Sequence, residues 1–360
     1  MSTNLYSVIT ATGKYLPARV IPNEDFYNQI FYDSVGEKLT KTTSEIVEKF
    51  EQITDIKERR HVSDNQVTSD IAFLAAQDTL RSSTIDKEQL DYIIVAHNFG
   101  DVKANNKRSD FVPSIAARVK FKLGIKNPFT VAYDLPFGCA GWLQGLIQAD
   151  YFLKSGDARK IMVIGAEVLS RISDPHDRDS MLFADGAGAV LVEAKESENS
   201  VGILAHNTRS DTLEFAHLLR MDKSNNPEYN GQELFLKMDG RKLYEYALKT
   251  VPQAIQQCLE KAKLPLQAVT KVLIHQANGK MDDAILKRLY GLYSIAEIPK
   301  NVMPMTISWL GNASVATIPT LLDLLLKGEL KNQGVKSGDI IVLASVGAGM
   351  NINSVVYRMP

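Results

Sequence analysis

Cysteine is scarce: two in 360 residues, at positions 139 and 258. That excludes a disulfide framework and suits a reducing compartment, where a lone cysteine is either buried packing or chemistry. An excess of one charge is also missing. With 41 Lys plus Arg against 42 Asp plus Glu, no global field favours nucleic acid or an anionic membrane, and any basic docking patch must be local. No apolar run approaches the roughly 18 residues of a membrane span, and the opening MSTNLYSVITATGKYLP lacks a basic segment followed by an apolar one. A soluble, cytoplasmic protein is expected. Dinucleotide and ATP readings lack their carriers too, since no Gly-x-Gly-x-x-Gly follows a strand and no Gly-x-x-x-x-Gly-Lys-Ser/Thr occurs. What remains is an ordinary globular composition, 45% hydrophobic and 23% charged. Such a chain has the length of about two domains and can bury its apolar surface without staples.

The chain also repeats itself. An amphipathic stretch, Ser69 to Leu80, leads to the apolar run Tyr92-Ile-Ile-Val-Ala-His97, as Leu243 to Leu264 leads to Val272-Leu-Ile-His275. Gly138-Cys139-Ala140 opens a helical pattern from Trp142 to Leu153; Gly311-Asn312-Ala313 opens another from Val315 to Leu326. A second short strand follows each, Ile161 to Gly165 and Ile340 to Ala344. Both halves then carry Gly-Ala-Gly, at 186–188 and 347–349, before a last apolar strand. Shared order and similar spacing predict a duplicated α/β unit, with mixed sheets covered by helices on both faces. The polar break Glu193 to Ser200 sets the halves at residues 1–196 and 197–360. Asp101 to Asp110 reads as a polar loop, and Asn207 to Gln232 as irregular surface chain.

Chemistry concentrates at a few positions. Cys139 is flanked by glycines and starts a helix that is apolar nearly all round. The positive end of the peptide dipoles lowers a thiol pKa there, which makes a nucleophile; the alternative is a small buried hydrophobe. Cys258 falls on the apolar face of its helix and reads as core. His275 ends a strand and is followed abruptly by Gln-Ala-Asn278, at the strand end where α/β sheets gather ligands; a strand-capping structural histidine is the alternative. His97 holds the matching place without such a cluster, and His61, His206 and His217 offer no constellation. Asn312 occupies the pseudo-equivalent place to Cys139, so packing about a dyad sets an amide opposite the thiol; an ordinary helix N-cap is the alternative. Asp174-Pro-His-Asp-Arg-Asp179 holds metal-ligand types, but proline and alternating charge read as a solvated loop.

At Cys139, His275 with its Gln-Ala-Asn, and Gly311-Asn312, the sequence resembles the β-ketoacyl-acyl-carrier-protein synthase III family of the thiolase superfamily. The resemblance spans nearly the whole chain, through Leu16-Pro17, Asp55-Ile-Lys-Glu-Arg-Arg60, Val112-Pro-Ser-Ile-Ala-Ala, Phe183-Ala-Asp-Gly-Ala-Gly188 and the final Gly347-Ala-Gly. It implies a thiolase-like α/β fold of two halves about a pseudo-dyad, layered αβαβα, working as a homodimer without metal or cofactor. It further implies that Cys139 accepts an acyl group from a thioester, usually a coenzyme A ester, splitting a condensation into two easier steps. His275 and Asn312 would stabilise the enolate of a decarboxylating malonyl extender carried by acyl carrier protein or coenzyme A. Main-chain N–H groups of Cys139 and Ala348 would hold the other oxyanion.

The same resemblance gives Val112 a place in the acyl pocket, often contributed by the dimer partner, and gives Lys280 and Arg288 a carrier-docking role. The sequence departs from the pattern in four places. Lys49 to Asp55 lacks the Trp and Arg that meet the coenzyme A nucleotide. Val346-Gly-Ala-Gly349 replaces Phe-Gly-Gly-Gly, Val112 replaces a bulky aromatic, and the 101–110 segment is longer. Two competing readings are an acyltransferase or non-decarboxylative enzyme using the same cysteine, and a catalytically silent partner subunit.

Overall fold

A computed structural model describes residues 4–360; the first three residues of the expected N-terminal half lie outside the described residues. Five strands build the first sheet: β1 (Asn4–Tyr15), β2 (Tyr92–Ala96), β3 (Val131–Leu135), β4 (Lys160–Val168) and β5 (Asp185–Ser197), in the order β1-β5-β4-β2-β3. Four build the second: β6 (Gly202–Ser210), β7 (Val269–Ile274), β8 (Ile340–Gly347) and β9 (Asn351–Arg358), in the order β6-β9-β8-β7. Each sheet begins with two antiparallel pairings and continues in parallel. Matching bulges also recur, at Ile9/Ala11 in β1 and Ile203/Ala205 in β6. The duplication is therefore visible in strand order, direction and register together, with β3 added at one edge of the first sheet.

The helices are α1 (Thr43–Thr54), α2 (Thr68–Arg81), α3 (Ile115–Leu123), α4 (Gly141–Ser155), α5 (Gly240–Ala262), α6 (Gly279–Leu292) and α7 (Thr317–Leu326). Helices α4 and α7 share one core with residues of both sheets, including Trp142, Leu146, Leu321, Ile94 and Leu343, so they form the middle layer. A helix apolar all round has to be buried on all sides. That explains α7, nine of whose ten residues are buried. Its Asp323 is paired with Lys14 and Lys327 at 2.9 Å each. Outside the first sheet lie α2 and α3, and outside the second lie α5 and α6. Five layers, αβαβα, result.

Two expectations about the chain between these elements change. Residues 101–110 form an antiparallel ribbon, Asp101–Lys103 against Asn106–Asp110, clamped by Arg118 to Asp101 and Asp110. Its second strand is largely exposed, so no apolar alternation marked it. Within 207–232, β6 continues to Ser210, a turn of helix spans Thr212–Phe215, and Leu219–Asp222 pairs with Phe235–Met238. Among the described residues no helix is long and apolar enough to cross a membrane.

Candidate active site

The parallel strands deliver polar residues at their C-terminal ends, where the sheet no longer satisfies the backbone. Strand β2 runs into His97-Asn98, β4 ends on Glu167-Val168, and β7 runs into His275. Cys139, His275 and Asn312 line one cavity of about 1600 Å³, together with Ser314, Val346 and Ala348. The set comes from loops 138–140, 275–278 and 311–314 and from the end of β8.

Close backbone approach shapes the floor. Gly138 has φ +62°, and a β-carbon there would lie 2.5 Å from the Ala348 nitrogen. A β-carbon on Gly347 would lie 2.4 Å from the Cys139 nitrogen. Only glycine lets the two segments meet so closely. Ala348, where the family pattern has glycine, is accommodated on the cavity wall.

Around Cys139 the expected effect of the helix start is outweighed. Desolvation by the surrounding protein pushes the thiol up to about 11, the Ser314 hydroxyl opposes that, and Glu167 adds to it. The peptide dipoles act on a sulfur crowded by the surrounding protein, and the water displaced from it would have favoured the charged form most. Ser314 Oγ donates to Cys139 Sγ at 3.2 Å.

His275 is anchored by its main-chain N–H to the Ala344 carbonyl at 2.9 Å. Burial pushes its imidazole down to about 4, so it is neutral at pH 7. The following Gln276 staples the loop: its amide donates to Pro304 O at 2.8 Å and accepts from the N–H groups of Thr306 and Ile307. Asn278 caps α6 by accepting from Met281 N. Asn312 is fixed from both sides, its N–H donating to Leu182 O and its carbonyl accepting from Ala184 N. Its side-chain oxygen accepts from Ser314 N at 2.9 Å. The remaining end of the amide, a pair of N–H donors, is left for the cavity.

Other sequence candidates separate from this set. Cys258 is fully buried and touches the Ser354 carbonyl, as core. His97 is structural: Nδ1 accepts from Gly100 N, and Nε2 lies 2.9 Å from Asp134, which caps α3. Asp174 and Asp177 are engaged by the buried Lys237 amine, at 2.5 and 3.0 Å. Val112 is 84% exposed and outside the residues that line this cavity. Lys280 and Arg288 are exposed on α6, while Lys287 pairs with Asp283. Lys49 and Ile53 of α1 line the cavity, in the segment that lacks the family's Trp and Arg. Sequence reasoning passed over Ser314, Asn98 and Glu167. Asn98 lies just past an apolar run, as His275 does, but Glu167 lies inside β4 and carried no comparable mark.

Comparison with known proteins agrees with this architecture. The family described as 3-oxoacyl-[acyl-carrier-protein] synthase III matches residues 133–212, and its C-terminal counterpart matches 259–359. Beta-ketoacyl-[acyl-carrier-protein] synthase III of Cereibacter sphaeroides is 33% identical over 357 residues, covering 98% of each chain. The enzyme of that name from Ehrlichia canis is 34% identical over 354 residues, covering 98% of this chain and 99% of its own. The crystal structure of 3-oxoacyl-[acyl-carrier-protein] synthase III from Aquifex aeolicus superposes with a TM-score of 0.77 at 31% identity, covering 98% of this chain and 99% of that one. For the synthase III of Thermus thermophilus the TM-score is 0.80, at the same identity and coverage. With its fold, its ordered Cys, His and Asn and these relatives, the chain belongs to the 3-oxoacyl-[acyl-carrier-protein] synthase III family.

Proposed function

We propose that the protein is a decarboxylative condensing enzyme of fatty acid synthesis, with Cys139 as nucleophile and His275 and Asn312 as the enolate-stabilising pair. One observation carries this reading. A glycine-flanked cysteine, a neutral buried imidazole and an amide with its N–H end free line a single cavity. In the first half-reaction the Cys139 sulfur attacks an acyl thioester, and the new C–S bond replaces the old one. The donor thiol leaves with the proton that Cys139 gives up. In the second, a malonyl thioester loses carbon dioxide. The electron pair of that C–C bond becomes an enolate, whose oxygen receives hydrogen bonds from His275 and Asn312. The enolate carbon attacks the acyl carbonyl, and the tetrahedral oxyanion rests on the main-chain N–H groups of Cys139 and Ala348. Collapse frees the 3-oxoacyl thioester and a Cys139 thiolate, which takes one proton from water. Donors preorganised in this way contribute about 10² to 10³ in rate each.

The substrates in this reading are an acyl-coenzyme A or related thioester and malonyl-acyl carrier protein, with Lys280 and Arg288 as the carrier's docking site. Residues 1–196 bring the nucleophile, and residues 197–360 bring His275 and Asn312. The working unit is a homodimer in the cytoplasm, where both thiols stay reduced. Strand β3 is an edge of the first sheet; of the exposed phenylalanines, Phe129 lies just before β3, Phe121 on α3 and Phe111 in the segment that leads into α3. An unpaired edge beside exposed aromatics suits a second copy. Radiolabelled acyl thioester and malonyl thioester test the reaction: carbon dioxide release together with a 3-oxoacyl product is expected. Acyl transfer without carbon dioxide, or no reaction, would refute the condensation.

A further inference from the structure

One fully buried carboxylate beside the cavity has no part in the reaction above. Glu167, near the end of β4, accepts through Oε2 from Asn98 N at 2.9 Å and from Asn98 Nδ2 at 2.5 Å, while Oε1 has no partner among the described residues. The same Nδ2 reaches Ser314 Oγ at 3.2 Å, and Ser314 Oγ reaches Cys139 Sγ at 3.2 Å. Hydrogen counting fixes the direction of this chain. An amide NH₂ has two donors, one for Glu167 and one for Ser314; a hydroxyl has one hydrogen. Once Ser314 Oγ accepts from Asn98, its own hydrogen is free for the sulfur. With the Asn98 amide turned over, its oxygen would take that hydrogen, and the sulfur would face lone pairs.

We infer that Glu167 is a positioning residue for Cys139: by holding the Asn98 amide in one orientation it makes Ser314 a hydrogen-bond donor to the sulfur. A donor of that kind favours the thiolate that attacks the thioester and later leaves, since bonds to a charged partner are the stronger ones. The turn around Ser314 supports the arrangement. Its φ is +51°, a left-handed conformation that persists in a side-chain-bearing residue only where surroundings fix it, and its N–H is committed to Asn312. One residue thus orients both the amide and the thiol.

Charge acts in the opposite sense. Around the Glu167 carboxyl stand His97 from the end of β2, Asp185 from the start of β5, and Cys139 itself. Burial pushes Glu167 up to about 7, and its ionised form disfavours a nearby thiolate. Glutamine separates the two roles, because it keeps an accepting oxygen and drops the charge.

The catalytic meaning rests on Cys139 as the nucleophile, but the network is read on the thiol alone, without substrate. Iodoacetamide alkylation of Cys139 would be followed by peptide mass spectrometry from pH 6 to 10, with the buried Cys258 reporting unfolding. Glu167→Gln is expected to alkylate at least as fast as wild type, and Glu167→Leu about tenfold more slowly than the Gln variant, the effect of one hydrogen bond to a charged group. Ser314→Ala should be slowed similarly, with no further loss in Glu167→Leu/Ser314→Ala. Equal rates for the Gln and Leu variants, or a wild-type rate for Ser314→Ala, would overturn the inference. Should Glu167→Leu fail to fold, Glu167→Met takes its place as the apolar variant: alkylation about tenfold slower than in Glu167→Gln supports the network, and a rate equal to that of Glu167→Gln removes it.

Discussion

The main-chain N–H of Ser314 donates to Asn312 Oδ1 at 2.9 Å, and this bond decides which end of the Asn312 amide faces the cavity. Asn312→Asp keeps the shape and the acceptor but replaces the free N–H pair with a carboxylate oxygen. Repulsion then meets the enolate where donation is needed. Carbon dioxide release from malonyl thioester is expected to fall by about 10² or more, while acylation of Cys139 changes far less. Equal loss of both half-reactions, measured by radiolabel on the protein and by gas release, would place Asn312 at the thiol instead.

The depressed imidazole of His275 makes a second prediction, and its sign follows from linkage. Its folded pKa of about 4 lies below the ordinary value of 6.5, so between those values the unfolded chain binds the proton and the folded one does not. This contribution to stability is therefore present above about pH 6.5 and is lost as pH falls toward 4, by on the order of 3 kcal/mol. Urea unfolding of wild type and His275→Gln at several pH values isolates the effect, since Glu167 and other buried acids titrate in both. Parallel curves would refute it. Decarboxylation should show no inflection near pH 6.5.

Backbone contact at the floor supplies a third. Gly347→Ala places a methyl group 2.4 Å from the Cys139 nitrogen, and the displaced N–H belongs to the proposed oxyanion hole. Condensation is expected to fall by about 10², with a stability loss of about 1–3 kcal/mol from the forced shift. Gly334→Ala is the control, having no atom within 4 Å of the added carbon. Comparable activity in the two variants would show that the floor yields.

How much of this was legible before the structure depended on the range of the signal. Repeated glycine-rich turns and short apolar runs marked β2, β4, β5, β7, β8 and β9, because strands buried between helical layers are continuous in hydrophobicity whichever way they pair. Strands β1 and β6 left no such mark, since each is broken by a bulge that interrupts its alternation. Cys139 and Asn312 were legible from glycine-bearing turns at matching helix starts in the two halves, and His275 from a polar cluster that follows an apolar run. The network from Glu167 through Asn98 to Ser314 was not, as it joins three segments more than sixty positions apart in sequence, each contributing one ordinary polar residue. The thiol's raised pKa was hidden for the same reason. A helix start is local, whereas desolvation is made by the whole fold.

Docking of the carrier is the fourth prediction. Lys280 and Arg288 are exposed on α6, which begins beside the cavity at Asn278 and Met281. An acidic carrier meeting them gains rate and affinity that salt screens. Lys280→Glu with Arg288→Glu is expected to raise KM for carrier-bound extender at low salt, with the difference shrinking at high salt. Cys139 acylation by a small acyl thioester serves as the internal reference and should stay unchanged. An unaltered KM at low salt would take α6 out of the docking surface.

The last prediction joins substrate size to assembly. Val112 is 84% exposed and does not line its own chain's cavity, so it can meet an acyl chain only across a dimer. Replacing a large side chain by valine frees the volume of several carbons, and each buried methylene contributes roughly 0.8 kcal/mol. Two or three of them shift preference by one to two orders of magnitude, since about 1.4 kcal/mol is tenfold. Primers longer than acetyl are therefore expected to acylate Cys139 best, and Val112→Phe should move the optimum to shorter chains. The dependence on a partner is separable. Phe129→Asp, on the exposed approach to the edge strand β3, should yield a monomer in sedimentation and remove the effect of Val112→Phe. An acetyl optimum unmoved by Val112→Phe, in a protein that sediments as a dimer, would mean that another group closes the pocket.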